Sequence, residues 1–391
     1  MDEQRNTRIS AVDNEPHTLD SVNWSEQLRE QAYAYGAPAI SGQLKVAPED
    51  FVVIEIMDVE PTGDGEHTWL DITKTRCNTD AVAKALARFA GVAYRDVAYS
   101  GMKDFHAVTR QWFSVWRPKG APLEWSEFAL DGVQVHQVVK HARKIKRGTH
   151  RANQFCIKLS SLSLINPDSG LGCTVEQELE RRLQLVRKLG VPNYFGEQRF
   201  GRNGNNMRQA VDALVHAKRI KDRNLRGLLL SSARSWLFNQ CVSARIKNNT
   251  WQQLYMHEPA NLNGTNSVFN ADGSELESRR LSELDIHPTA PLWGDGADHS
   301  MAKCHDLHAV ECAALQPFRA LMTGLEKARL EYQRRPLRSV PANFSWQFER
   351  DENGHVHATV IRFELQSGQF ATSVVRELLS ETAVHNTAFA K

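Results

Sequence analysis

Strand-forming sequence lies at both ends of this 391-residue chain, and a long block of different character separates the two ends. Near the start, DFVVIEI (50–56) alternates as a β-strand does. Near the end, NFSWQFER (343–350) and HATVIRFEL (357–365) flank Asn353-Gly354, which is a strong hairpin signal. The sequence therefore predicts one domain built from both ends of the chain, with residues from about 190 to 340 inserted into it.

Helical sequence occurs both before and within the inserted block. Residues 78–91 begin with an N-cap asparagine, repeat apolar side chains at helical spacing and end on a glycine. Thr174 and Gln177 form a capping-box pattern at the start of a helix that ends at Gly190. We interpret that helix as a connector between domains. Residues 225–246 predict a further helix inside the block.

A Gly-Met-Lys-Asp turn, residues 101–104, lies between two predicted strands, DVAYS (96–100) and QWFSVW (111–116). An aspartate in such a turn more often has a structural role, because its side chain caps turns and glycine permits positive φ. The neighbouring Lys103 favours an ionised Asp104, and an ionised carboxylate can act as nucleophile or base. These residues therefore suggest a catalytic role for Asp104 as an alternative to a structural one, and they do not decide between the two.

Positive charge is local in this chain. Forty-eight Lys and Arg nearly balance forty-six Asp and Glu, which gives a formal charge of +2. Residues 140–151 nevertheless hold six Lys and Arg in twelve positions, and a second cluster contains Lys218, Arg219, Lys221, Arg223 and Arg226. Solvated basic loops would have the same composition. Two such clusters in two parts of the chain indicate an extended, folded polyanion as a partner.

Three phenylalanines stand beside polar turns at strand edges: Phe51, Phe155 and Phe370. Recognition of an unstacked nucleobase combines an aromatic face with a hydrogen-bonding edge such as the amide of Asn153. Core packing is the more usual role of a phenylalanine. Both core packing and nucleobase binding are therefore alternatives for each of the three.

Cofactor and metal sites are not predicted. Cys304, His308 and Cys312 are spaced four residues apart, but this spacing matches no standard zinc site and a fourth ligand is missing. The sequence contains no phosphate-binding glycine loop, dinucleotide motif or serine-hydrolase elbow. Six cysteines without CxxC pairing fit a reducing cytoplasm. Residues 1 to about 30 are polar, without a signal-peptide core, and predict a loosely ordered extension.

Four blocks together resemble one family. Residues 101–111, GMKDFHAVTRQ, are similar to the signature GxKDxxAxTxQ of the TruD family of tRNA pseudouridine synthases. PEDFVVIEI (48–56), VPNYFGEQRFGRNGNN (191–206) and GQFATSVVREL (368–378) agree with the same family in the same order. The resemblance extends from about residue 40 to residue 385.

The resemblance implies an α/β (α+β) fold. It consists of a pseudouridine synthase catalytic domain with a mixed, largely antiparallel sheet, into which a TRUD domain is inserted. We assign the catalytic domain to residues 36–189 and 340–391, the inserted domain to residues 190–339 and the polar extension to residues 1–35.

The resemblance also implies a reaction and a site. The family isomerises a uridine in the D-arm region of tRNA, generally position 13, without a cofactor. Asp104 matches the catalytic aspartate of the family and Lys103 the lysine that accompanies it. Phe51, Asn153 and Phe370 match positions that contact the target nucleotide. We expect a cytoplasmic monomer whose partner is tRNA.

Two other functions remain open from the residues alone. A non-catalytic RNA-binding or RNA-remodelling protein would need the basic clusters and would not depend on Asp104. A carboxylate-based hydrolase such as a glycosidase would need a second carboxylate across the scissile bond. Glu55, close after Phe51, is the candidate for that second carboxylate.

Overall fold

A computed structural model describes residues 19–165, 172–296 and 304–380 of the chain. The strands in these residues are β1 (Ile40–Leu44), β2 (Phe51–Met57), β3 (His67–Thr75), β4 (Val97–Tyr99), β5 (Val108–Trp116), β6 (Val133–His141), β7 (His150–Leu164), β8 (Val191–Pro192), β9 (Pro259–Leu262), β10 (Val268–Asn270), β11 (Ile286–Leu292), β12 (Gln333–Pro336), β13 (Arg338–Ser339), β14 (Ala342–Arg350) and β15 (Val356–Gln366).

The helices in the same residues are α1 (Trp24–Arg29), α2 (Thr79–Ala90), α3 (Val175–Leu189), α4 (Asn205–Leu214), α5 (Arg223–Lys247), α6 (Glu275–Ser282), α7 (His305–Leu315), α8 (Arg319–Lys327) and α9 (Ala371–Leu378). No helix in the described parts of the chain is long and apolar enough to cross a membrane.

Strands from both ends of the chain form one sheet, in the order β14-β15-β7-β2-β5-β3-β6, with β1 added beside β7 and β4 beside β5. Every pairing in it is antiparallel except that of β2 with β5. The prediction of an α+β fold with a mixed, largely antiparallel sheet is therefore confirmed. The parallel pair matters for the site, because it brings the start of β5, just after the GMKD turn, beside β2.

The middle block has its own sheet and its own apolar core. Its four strands follow the order β10-β9-β11-β12, and α5 is packed against α4, α7 and β11. The short strands β8 and β13 pair with each other, so the chain enters and leaves this block side by side. The predicted helix over residues 225–246 is α5.

Helix α3 has a different role from the predicted connector. The predicted capping box is present, since Thr174 and Gln177 each bond the other's backbone N–H. However, Leu179, Leu183 and Val186 are fully buried in the core under the large sheet, together with α9. The apolar stripe of α3 is therefore part of the core under the large sheet, and the helix is more than a link to the middle block.

For residues 19–30, the prediction of a loosely ordered extension is wrong. Residues 1–18 lie outside the described residues, but Leu19, Trp24 and Leu28 are buried in the core of the middle block. The Trp24 ring meets the Trp236 ring edge-on, with 5.1 Å between centroids. Three large apolar side chains bury enough area to order this segment. The average polarity of the segment does not reveal this, because the remaining residues are mostly polar.

One face of the large sheet carries two apolar half-cores with polar side chains between them. Phe51 and Val53 belong to the half under α3 and α9, whereas Leu70 and Phe113 belong to the half under α2. Strand register places polar residues between these halves on the same face: the buried Glu55, Lys74, Thr109 and Gln111, and the half-buried Asn153. A buried polar row of this kind is stable only when its members are hydrogen-bonded.

Candidate active site

The GMKD turn is fixed by side chains of this polar row. Lys74 donates to the backbone oxygen of Asp104 at 2.7 Å, and Gln111 donates to the oxygen of Gly101 at 3.0 Å. Thr79, the first residue of α2, accepts from the backbone N–H of Lys103 at 3.0 Å. Burial lowers the pKa of Lys74 to about 8, so its ammonium is present at neutral pH. The turn is thus held rigidly, as a catalytic group requires.

Lys103 binds a carboxylate other than Asp104. Its Nζ lies 2.7 Å from Oε2 of Glu55, and the two side chains are 7% and 0% exposed. Burial raises the pKa of Glu55, although the Lys103 ammonium opposes this shift. The prediction that Lys103 is the cation beside Asp104 is therefore wrong. Glu55, in turn, is too deeply buried and too closely paired to flank a substrate bond as a second hydrolytic carboxylate.

Lys45 is the cation at Asp104. Its Nζ lies 2.6 Å from Oδ2 of Asp104, whose side chain is 33% exposed. The same Nζ lies 4.0 Å above the ring of Phe51. Lys45 has φ +59°, a left-handed backbone conformation that is uncommon for a residue other than glycine. Such strain collects at functional sites, and here it accompanies a side chain that bridges an aromatic ring and an accessible carboxylate.

The middle block reaches Asp104 through a segment of the third resemblance block. Gln198 donates to Oδ1 of Asp104 at 3.5 Å. A Cβ on Gly196 would lie 2.8 Å from Oγ1 of Thr372, so this glycine permits close approach to the start of α9. The ring of Phe195 lies 5.7 Å from that of Phe370. A continuous series of contacts thus joins Asp104 to Phe370, which is far away in sequence.

The remaining predicted residues lie under the site. Phe51 and Phe155 are 4% and 7% exposed, with their rings edge-on at 6.1 Å. Phe155 also stacks on Phe363 at 5.3 Å, which is ordinary core packing. Asn153 pairs with Glu55 across β7 and β2. Contact of Phe51, Phe155 and Asn153 with a substrate stays a prediction.

Oδ1 of Asn153 is a buried oxygen at this place with no hydrogen-bond partner among the described residues. His150 lies close by, with Nδ1 2.5 Å from Ser100 Oγ and 3.9 Å from Oε2 of Glu55. Burial and the Lys103 ammonium lower the pKa of His150 to about 4, so its ring is neutral at neutral pH. The site therefore contains one acceptor, the amide oxygen of Asn153, that a bound N–H group can satisfy.

The six cations of residues 140–151 are all exposed, as are the five of the second cluster. A cavity of about 490 Å³ lies beside the second cluster, away from Asp104, and its lining includes Lys218, Arg219 and Arg226. Among the described residues, no group of three His, Cys, Asp or Glu side chains could hold a metal ion. Sγ of Cys312 lies 3.5 Å from Nε2 of His308.

The arrangement combines an accessible carboxylate, one cation that holds it, and a rigid turn. Such a carboxylate can act as a nucleophile or as a base. Sequence reasoning missed Lys45, Gln198 and Lys74 because no motif rule assigns them. The adjacency of Lys45 to the PEDF block was a signal for the first of these.

Known proteins resemble this chain over most of its length. The family model described as tRNA pseudouridine synthase D (TruD) matches residues 27–217 and 203–378. A protein of Aeromonas hydrophila named tRNA pseudouridine synthase D is 42% identical over 360 residues, which cover 92% of this chain and 96% of that protein. A protein of the same name from Proteus mirabilis is 38% identical over 354 residues, which cover 90% and 96%.

A solved structure supports the same fold. A crystal structure from Methanosarcina mazei that carries the name tRNA pseudouridine synthase D superposes with a TM-score of 0.67. The superposition covers 90% of this chain and 97% of the other chain, at 18% sequence identity. At that identity the similarity is evidence of fold.

Proposed function

This chain belongs to the tRNA pseudouridine synthase D (TruD) family, and we propose that it isomerises one uridine of tRNA to pseudouridine with Asp104 as its catalytic carboxylate and without a cofactor. One observation carries the assignment of the site. Segments distant in sequence meet at Asp104, where Lys45 and Gln198 both contact its carboxylate. The proposed target is position 13, in the D-arm region.

The reaction replaces the bond between the ribose and N1 of the base by a bond between the ribose and C5. The bond from C1′ to N1 breaks, a bond from C1′ to C5 forms, C5 loses its proton and N1 gains one, so no co-reactant is needed. Asp104 can serve by attacking C1′, by adding to C6 or by taking a ribose proton, and all three routes need an ionised carboxylate. Lys45 contacts the carboxylate at 2.6 Å and so places a positive charge beside it.

Other residues provide contacts for the base. A uridine inside folded tRNA must be extruded to reach Asp104, at a cost of a few kcal/mol. The unpaired Oδ1 of Asn153 is an acceptor that suits the imide N–H of uracil. Phe370 is half-buried and offers a ring face, while Phe51 supports Lys45 from below. Lys103 contributes indirectly, by neutralising Glu55 under the turn.

The two basic clusters are the proposed contact surfaces for tRNA phosphates. One lies where β6 leads into β7, and the other lies where α4 leads into α5 of the middle block. This placement fits residues 190–339 as an inserted domain on residues 36–189 and 340–391. We further propose that the enzyme acts as a cytoplasmic monomer.

Pseudouridine mapping tests the proposed function directly. Purified protein incubated with unmodified tRNA transcripts should convert one uridine, at position 13, and mapping by base-specific chemistry identifies it. A non-catalytic RNA-binding protein would bind the same transcripts and leave every uridine unchanged. Conversion at another position would overturn the site assignment while leaving the activity in place.

Replacing Lys45 should slow the reaction without unfolding the protein. Lys45→Gln removes the cation that contacts Asp104 Oδ2, so kcat should fall by about 10²-fold, as for the loss of one preorganised electrostatic contact. Single-turnover pseudouridine formation measures this effect. The matched control is Lys84→Gln, which breaks an exposed ion pair with Asp80 at 2.7 Å and should leave the rate unchanged. Equal rates for Lys45→Gln and the control would contradict the role of Lys45.

A further inference from the structure

Two arginines lie on the ring of Phe195, beside Phe370. The Cζ atoms of Arg335 and Arg199 lie 4.4 Å and 5.4 Å from the centroid of the Phe195 ring. Phe195 itself contacts Phe370 at 5.7 Å. Arg199 is the residue directly after Gln198, whose amide reaches Asp104. The two guanidinium groups therefore lie at the segment of the middle block that contacts both the proposed catalytic carboxylate, through Gln198, and Phe370 at the start of α9, through Phe195.

Neither guanidinium has a carboxylate partner among the described residues. Nη2 of Arg335 donates hydrogen bonds to Oδ1 of Asn193 at 2.6 Å and to the backbone oxygen of Gly368 at 2.8 Å. Its buried Nε has no acceptor in those parts of the chain. Arg199 donates to Oγ of Ser231 at 3.1 Å. All these partners are neutral, so the charges are not compensated.

The neighbouring Arg334 shows how the fold treats an arginine with a purely structural role. Arg334 is paired with the buried carboxylate of Glu311 at 2.5 Å. A partly buried charge without a partner is costly, and two like charges side by side are costlier. Burial and the nearby Arg199 accordingly lower the pKa of Arg335 to about 10. An anion between them would remove this cost.

The start of α9 adds to the same positive region. Phe370 is the N-cap of this helix and has no side-chain oxygen to accept from its first N–H groups. Arg335 binds Gly368, two residues before Phe370. The amino end of a helix favours negative charge, and guanidinium forks match phosphate oxygens well. The amino end of α9 and the two arginines thus both favour an anionic ligand such as a phosphate.

We propose that Arg199 and Arg335 form a binding site for a backbone phosphodiester of the RNA substrate, adjacent to the target uridine. This proposal rests on the proposed function, since it places the phosphate beside the nucleotide that meets Asp104. The site holds the extruded nucleotide by its phosphate, independently of base contacts. It also explains why two arginines lie at the ring of one phenylalanine without a carboxylate partner among the described residues.

The salt dependence of tRNA binding provides the first test. Each lost phosphate contact reduces the slope of log Kd against log salt concentration by about 0.7 to 0.9. Arg199→Gln and Arg335→Gln should each show this reduction, and Arg335→Lys should keep most of the slope. The control is Arg350→Gln, which loses one exposed charge that is paired with Glu176 at 2.7 Å and should keep the slope. This measurement needs no turnover, so it is independent of whether pseudouridine forms.

Neutral linkages in the RNA provide the second test. A tRNA is assembled with a methylphosphonate on either side of the target uridine, and single-turnover rates are compared. At one of the two linkages the wild-type rate should fall by about ten-fold or more, whereas Arg199→Gln and Arg335→Gln should lose nothing further there. Additive losses at both linkages, together with unchanged salt slopes, would overturn the proposal. If Arg335→Gln does not fold, Arg199→Gln and Arg335→Lys still decide it.

Discussion

Asp104→Asn should abolish pseudouridine formation while leaving tRNA binding close to that of the wild type. The amide is nearly the same size as the carboxylate but is neither a nucleophile nor a base, so the rate should fall on the order of 10⁴-fold or more. The backbone oxygen of Asp104, which accepts from Lys74 at 2.7 Å, is unchanged by the substitution. The turn should therefore keep its position. Single-turnover assays and filter binding on the same transcript measure the two quantities.

The carboxylate of Asp50, the residue before Phe51, provides a matched control. It bonds the backbone N–H of Ala47 at 2.8 Å at the start of β2, and the described contacts give it no link to Asp104. Asp50→Asn should therefore retain conversion within a few-fold of the wild type. Substantial product from Asp104→Asn would remove the carboxylate mechanism, and loss of tRNA binding in that variant would show that Asp104 acts in binding.

Lys103→Met should destabilise the protein strongly, although Lys103 is next to the catalytic residue. The substitution leaves the fully buried Glu55 carboxylate without its cation, which costs about 3–5 kcal/mol of unfolding free energy. Urea denaturation at pH 8 measures the loss. Lys158→Met breaks a half-exposed pair with Glu349 at 2.6 Å and should cost less than about 1 kcal/mol.

The destabilisation of Lys103→Met should depend on pH in a definite direction. Burial already raises the pKa of Glu55, and removal of the ammonium raises it further above the unfolded value of about 4.3. The folded variant then takes up a proton that the unfolded chain still lacks, so its stability rises as pH falls through the folded pKa. The deficit relative to the wild type should shrink between pH 8 and pH 5.

A second substitution separates charge from packing. In Lys103→Met with Glu55→Gln the unpaired charge is gone, so the double variant should be more stable at pH 8 than Lys103→Met alone. A double variant that is less stable than the single one, or a deficit that does not change with pH, would show that Lys103 acts through packing rather than through the charge of Glu55.

Local patterns in the sequence predicted the strands and helices near the site because their periods are local properties of the chain. Alternation over residues 50–56 and the hairpin signal at Asn353-Gly354 both correspond to observed strands and their turn. The end of α2 is also as predicted, with Gly91 at φ +65°. Asn78 occupies the N-cap position there, but its side chain makes no capping bond.

The partners of charged side chains were not accessible to the same reasoning. Adjacency in sequence indicated Lys103 as the cation of Asp104, but successive residues in an extended turn point in different directions. Lys103 faces Glu55, and Lys45, 59 residues away, reaches Asp104 instead. Segment 19–35 shows the same limit. Its backbone N–H groups at Ala34 and Tyr35 bond the buried carboxylate of Glu377, near the opposite end of the chain.

The GMKD turn shows which features the sequence determined and which only the tertiary structure determined. Residue types and their order determined the turn, its flanking strands, the α+β class and, through four blocks in one order, the family. Tertiary structure alone decided which cation holds Asp104, which carboxylate Lys103 neutralises, and that Arg199 and Arg335 meet on one ring. The physical reason is range. Secondary structure follows from neighbours a few residues apart, whereas electrostatic partners are determined by strand register and helix packing between segments that are about fifty or more residues apart in sequence.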